Sequence, residues 1–192
     1  MKDFLGALRN GTVMADEAMG SYLFERTGRL SEINHVYKAL NVLNPELILE
    51  VHLLNLKAGA RCLTTNTFEA NRTRLTQFGE GERAAELNRA GVALAREAIA
   101  AFRKDTGADY PLFVLGSVGP TPTGGESAAE ATDTYREQVS TLVFEGVDAI
   151  LLETFTSTAH MKAVLALVKA FYDPPPVIAQ LTPCPLRRRR GW

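Results

Sequence analysis

Five short apolar runs punctuate the chain: TVMAD at 12–16, ARCLTTNTF at 60–68, PLFVLGSVGP at 111–120, DAILLETF at 148–155 and PVIAQLT at 176–182. Between them the apolar residues recur near every 3.6 positions, so the pattern predicts strands alternating with helices. Leu47, Ile48, Val51, Leu54 and Ala58 predict a helix over 45–58, with Asn44 as its N-cap and Gly59 as its stop. A second stripe, Ala84, Leu87, Gly91, Leu94, Ala98 and Phe102, predicts a helix over about 82–102 with charges on its other side. A third helix carries Tyr135, Val139, Leu142 and Val143 and ends near Gly146. The fourth spans about 157–172, turns Met161, Val164, Leu165, Val168 and Phe171 inward, and is stopped by Pro174, Pro175 and Pro176. Strand–helix alternation means a parallel sheet, here four βα units plus a fifth strand.

The first four runs each end in a polar residue: Asp16, Asn66, Ser117 and Glu153. In a closed parallel barrel the loops after the strands open on one face, so these distant side chains would converge on one pocket. A complete (β/α)8 barrel of the TIM type takes roughly 250 residues, which leaves a 192-residue chain about three units short. An open doubly wound sheet would be complete at this length. The final PCPLRRRRGW has no periodicity after a good strand, and it reads either as a domain interrupted or as an ordinary disordered tail.

Composition narrows the function classes. The chain is 46% hydrophobic, with 21 basic and 22 acidic residues, which suits one globular domain. Arg187, Arg188, Arg189 and Arg190 hide an acidic body, because without them 17 basic residues face 22 acidic ones. That balance speaks against nucleic-acid binding, and so short a terminal basic run is expected to be a solvated tail. Two cysteines, Cys62 and Cys184, are too few for a disulfide framework, so a reducing compartment is expected. No secretory h-region and no membrane-length apolar stretch is present, which predicts a cytoplasmic protein without a membrane partner.

Most motif matches have bland explanations. FGEGERA, at 78–84, fits G-x-G-x-x-A but follows a polar loop and places two glutamates where a pyrophosphate would sit, so it is expected to be a loop before a helix. TPTGGESAA, at 121–129, lacks a phosphate-loop lysine and is expected to be a loop over the pocket. His35, His52 and His160 stand alone, with surface or supporting roles expected. Glu153 differs, since a carboxylate ending an apolar strand is costly unless paired. A cationic ligand group or an arginine such as Arg72 or Arg136 would supply the partner. Asp16 has the same logic at the end of the first run, or else caps the helix begun by MGSYLFER.

At these residues the sequence resembles a known family. DEAMGSYL, NPELILEVHLLNLKAGARCLTTNTFEANRTRL, LGSVGPTP, YREQVSTLVFEGVDAILLETF and PVIAQLT are similar, in order and spacing, to the homocysteine-binding domain of the homocysteine S-methyltransferases. The resemblance runs from about Val13 to Leu181. It implies a (β/α)8 barrel, with residues 1–182 as an incomplete homocysteine-binding domain and 183–192 as a basic tail outside the family pattern. It also implies methyl transfer to the homocysteine thiol, giving methionine, with zinc holding the thiolate. By resemblance Glu153 meets the substrate amino group. Asp16 and the backbone of Ala18 and Met19 belong to the amino-acid pocket, Asn66 and Thr67 line the mouth, and Ser117 with Gly119 forms the third loop. Homocysteine or methionine is the implied ligand. The methyl donor (methyltetrahydrofolate, methylcobalamin, betaine or S-methylmethionine) is left open.

Two departures from the family pattern bear on activity. Glu17 stands where the family's D-G-A-M-G has glycine, placing a bulky anion where backbone would approach the substrate. The family's zinc cysteines come from later segments, and neither Cys62 nor Cys184 matches them, so no catalytic residue and no metal ligand is assigned within this chain. Three expectations follow: an enzyme completed by a second chain or domain, an amino-acid-binding module without turnover, or a non-functional fragment with exposed sheet edges.

Overall fold

The computed structural model describes residues 4–27, 37–121 and 128–182. In chain order its helices and strands are α1 Phe4–Arg9, α2 Met19–Thr27, α3 Leu40–Leu43, α4 Pro45–Lys57, β1 Cys62–Thr64, α5 Arg72–Thr76, α6 Ala84–Thr106, β2 Phe113–Val118, α7 Ala128–Phe144, β3 Ala149–Phe155, α8 Thr158–Lys169 and β4 Val177–Leu181. His35, Cys184, Arg187 to Arg190 and most of the TPTGGESAA loop lie outside the described residues.

The four strands form one sheet in the order β1-β2-β3-β4, and every pair is parallel. Long helices α6, α7 and α8 make the crossovers, as the alternating pattern requires. The first apolar run is a single bridge, not a full strand: Ala15 pairs with Cys62, and Met14 O accepts the N–H groups of Arg61 and Cys62. Its residues lie at a sheet edge, and the chain turns into α2 only three positions after Asp16. Among the described residues the sheet stays open, with β4 half-exposed along its length.

Alternation along each strand sorts the side chains onto two faces. Leu63, Val114, Val118, Ile150 and Leu152 pack with Val92, Ala95 and Ile99 of α6, Val139 and Leu142 of α7, and Val164 and Val168 of α8. The opposite face gathers Cys62, Phe113, Leu115, Ala149 and Leu151 against Phe4, whose ring meets Phe113 edge-on at 5.3 Å. Burial on both faces is why these strands read as nearly unbroken apolar runs.

The helix ends follow their local chemistry. The Asn44 side chain accepts the Leu47 N–H with Pro45 at the first helical position, and Ser157 caps α8 through the His160 N–H. Gly107 ends α6 with φ of 70°, the left-handed conformation glycine adopts without strain. FGEGERA is a loop and turn leading into α6.

Two expectations change at α4. Its buried face is Ile48, Val51, His52, Asn55 and Leu56, while Leu54 is 42% exposed, so the helix is rolled relative to its apolar stripe. Asn55 explains part of the roll: its Oδ1 accepts the Glu17 N–H at 3.4 Å, tying the helix to the chain after Asp16. His52 is wholly buried rather than superficial, and neither ring nitrogen has a hydrogen-bond partner among the described residues.

Candidate functional site

At the C-terminal ends of the strands the chain lines a cavity of about 390 Å³. Asp16, Ala18, Met19, Asn66, Ser117 and Glu153 all reach its wall. Residues separated by more than a hundred positions meet there because parallel strands present all their C-terminal ends to one side. Thr67 is not on the wall. It is fully buried behind it, where its hydroxyl donates to Ser117 O at 2.8 Å.

The wall is tied together by short polar bonds. Asp16 Oδ2 accepts the Thr64 N–H and Asp16 Oδ1 the Thr64 hydroxyl, both at 2.7 Å, so Asp16 braces β1 and does not cap α2. Ser117 N–H donates to Thr65 Oγ1, which leaves the Thr65 hydroxyl proton for Thr67 Oγ1 and makes a one-way relay ending on Ser117 O. Gln138 of α7 adds its amide, donating to Thr67 O and Ser117 O. Asn66 spends both amide protons on Tyr37 O and Asn41 Oδ1, while Asn41 donates back to Asn66 O. Gly91 of α6 permits this, since a Cβ there would lie 2.8 Å from Thr67 Cγ2 and 2.9 Å from Asn41 Nδ2. A Cβ on Gly119 would strike the Phe68 ring, so that glycine seats an aromatic wall of the cavity.

Glu153 owes its position to a bulge. Pairing between β3 and β4 runs regularly to Leu152 with Ala179, then slips and resumes at Phe155 with Leu181. Thr154, with φ of 64°, absorbs the slip. Glu153 and Thr154 therefore both line the cavity, while Phe155 returns to the helix side. Ser117 Oγ donates to Glu153 Oε1 at 2.5 Å. Neither Arg72 nor Arg136 reaches Glu153: Arg72 pairs with Glu82 and Glu137, and Arg136 with Asp133. Among the described residues Glu153 has no ion-pair partner.

Burial sets the electrostatics. It raises the Asp16 carboxyl above the ordinary aspartate value, against the opposing pull of the Thr64 bonds, and the Glu153 charge pushes the same way. Glu17 is exposed and lines the cavity, and its φ is not among the positive ones, so its backbone carries no strain. Lys38, Tyr37, Phe68, Thr154 and Gln180 also line the cavity, and sequence reasoning did not single them out. A lysine following a tyrosine at a turn carries no distinctive spacing, and the bulge at Thr154 left no mark in the strand pattern.

The described residues do not fit a zinc site. No three of their His, Cys, Asp and Glu side chains gather in an arrangement able to hold a metal ion. Cys62 faces the packed layer with Phe4 and Phe113, and burial pushes its thiol up to about 12, far from the thiolate a zinc ligand must be. No helix among the described residues is long and apolar enough to cross a membrane.

Residues 13–189 match the protein family described as Homocysteine S-methyltransferase. The methionine synthase of Mycobacterium tuberculosis is 30% identical over 170 residues, covering 85% of this chain and 14% of that protein. The methionine synthase of Mycobacterium leprae is 28% identical with the same coverage. The metallated form of the homocysteine methyltransferase MmuM from Escherichia coli superposes with a TM-score of 0.78 at 29% identity, over 86% of this chain and 62% of that one. Its oxidized form gives 0.81 at 28% identity, over 91% and 64%. The chain thus spans about a seventh of the curated relatives and under two thirds of the solved one.

Proposed function

Because the chain belongs to the homocysteine S-methyltransferase family, we propose that residues 1–182 are the homocysteine-binding part of a (β/α)8 barrel whose reaction is methyl transfer to the homocysteine thiol, giving methionine. The observation that carries this reading is the meeting of Asp16 and Glu153 in one cavity, with Glu153 oriented by Ser117 and free of any ion pair among the described residues. A partly buried carboxylate with one oxygen unengaged is a receptor for a ligand ammonium. Asp16, Ala18, Met19 and Asn66 shape the rest of the amino-acid pocket. Thr67 supports it from behind.

The chemistry needs a thiolate, and these residues supply none of the means to make one. We assign them binding and orientation, with no catalytic step. Metal ligands, and the strands that close the sheet, would come from a second chain or domain. A second reading for these residues by themselves is an amino-acid-binding module without turnover, favoured because no three of the His, Cys, Asp and Glu side chains among the described residues gather so as to hold a metal ion.

Calorimetric titration of homocysteine and methionine into the parent chain and Glu153→Gln tests the pocket. Glutamine keeps an oxygen for the Ser117 hydroxyl, so the fold is retained. Affinity is expected to fall by about 1.5 to 3 kcal/mol, the size of a charge-assisted hydrogen bond. Equal affinities would remove Glu153 from the site.

A further inference from the structure

Among the acids of the cavity stands one cation, Lys38. Its backbone is fixed. It lies in the 3₁₀ turn Tyr37–Ala39, where Ala39 packs with Ala70 and Leu75 and Tyr37 O accepts the Asn66 amide at 2.8 Å. Its ammonium sits 5.5 Å from the centroid of the Phe68 ring, the aromatic wall seated by Gly119. Burial pulls Lys38 down to about 8, which the Glu69 charge resists and Arg74 reinforces. Glu69 is already committed to Arg74 at 3.2 Å, and no carboxylate among the described residues forms an ion pair with Lys38.

Among the described residues, Lys38 and Glu153 therefore stand in one cavity as charges of opposite sign without an ion pair, beside the exposed Glu17. Asp16 has both oxygens engaged by Thr64, whereas Glu153 has Oε1 engaged by Ser117 and, among the described residues, Oε2 without a partner. A partly buried ammonium without a counter-ion is unfavourable, and so is a partly buried carboxylate, unless a ligand supplies both complements. An α-amino acid does so, carrying an ammonium and a carboxylate on the same carbon. We propose that Lys38 receives the α-carboxylate of the amino-acid substrate while Glu153 receives its ammonium, so that Lys38 makes the pocket selective for α-amino acids over amines of the same side chain. This assignment rests on the amino-acid pocket proposed above and adds to it the group that reads the acid end.

The test uses two ligands that differ only in the carboxylate: methionine and methylthiopropylamine, its decarboxylated counterpart. Both are titrated into the parent chain, Lys38→Met and Lys38→Arg. Methionine keeps an apolar stem over Phe68, so Lys38→Met removes the charge and little packing. It should bind methionine roughly ten- to a hundredfold more weakly and the amine as well as the parent does. Lys38→Arg should keep most of the affinity for methionine. An equal loss for both ligands, or unchanged methionine binding, would overturn the role of Lys38. If the parent binds methionine in a Glu153-dependent way and Lys38→Met matches it, only this assignment falls; if the parent binds neither ligand, the pocket and Lys38 fall together.

Discussion

Asp16 and Thr64 form a closed two-point contact in which one carboxylate oxygen takes the backbone N–H and the other the hydroxyl, each at 2.7 Å. The contact joins the single-bridge edge run to β1. It makes Asp16 at once a brace of the sheet and a wall of the cavity, and the two roles have opposite electrostatic costs.

Asp16→Asn separates them. Asparagine can accept the Thr64 N–H through its oxygen and donate its amide to the Thr64 hydroxyl, so both bonds survive with one reversed. The folded carboxyl of Asp16 is raised above 3.8 by burial. Its contribution to stability is therefore fully present below the unfolded value and lost as pH rises through the folded one. At neutral pH the charged form is a cost that asparagine does not carry. Urea titrations should show the variant at least as stable as the parent at pH 7, with the difference shrinking as pH falls toward 4. Methionine affinity should drop roughly tenfold. A variant less stable than the parent at pH 7 would show that the charge itself braces the edge.

Thr154→Gly tests the bulge. A β-branched residue at φ of 64° is strained, at about 1 to 3 kcal/mol, whereas glycine adopts this conformation freely but adds about 0.5 to 1 kcal/mol of unfolded-state entropy. The relief of strain outweighs the added entropy, so the variant should gain roughly 1 kcal/mol in chemical denaturation. A loss of stability would mean that the Thr154 side chain has contacts at the cavity wall outweighing its backbone strain.

Much of this architecture was legible in the chain because strands buried on both faces leave long apolar runs, and the helices packed on them leave apolar stripes. The polar ends at Asp16, Asn66, Ser117 and Glu153 were visible for the same reason: each interrupts an apolar run where a buried polar group needs a purpose. The first run failed as a strand because a lone bridge to Cys62 is all that an edge without a further neighbour makes. Thr67 looked like wall but is scaffold, since the loop after β1 curls so that its hydroxyl faces Ser117 O. Lys38 was missed as a cavity residue and His52 as a buried one because neither sits in an apolar repeat that marks its place. Their environments come from Phe68, α4 and α6, brought together only by folding.

His52 provides a pH effect in the acid range. It is wholly buried on α4, both ring nitrogens lack partners among the described residues, and burial lowers it from 6.5 to about 4. The unfolded chain takes up a proton below 6.5 that the folded chain refuses until about 4, so stability falls as pH drops through that window. At about 1.4 kcal/mol per pH unit, the loss is on the order of 3 kcal/mol. Asp16 acts in the opposite direction at the acid end of the same range, but its Thr64 bonds hold its shift back, whereas nothing offsets the burial of His52. His52→Leu removes two unsatisfied ring nitrogens and breaks no hydrogen bond, so it should be at least as stable as the parent at pH 7. Urea midpoints measured from pH 7 down to 4.5 should then diverge, with the parent losing stability relative to the variant by roughly 2 to 3 kcal/mol. Parallel curves would show that the imidazole gains a proton in the folded state, and that α4 opens to water around it.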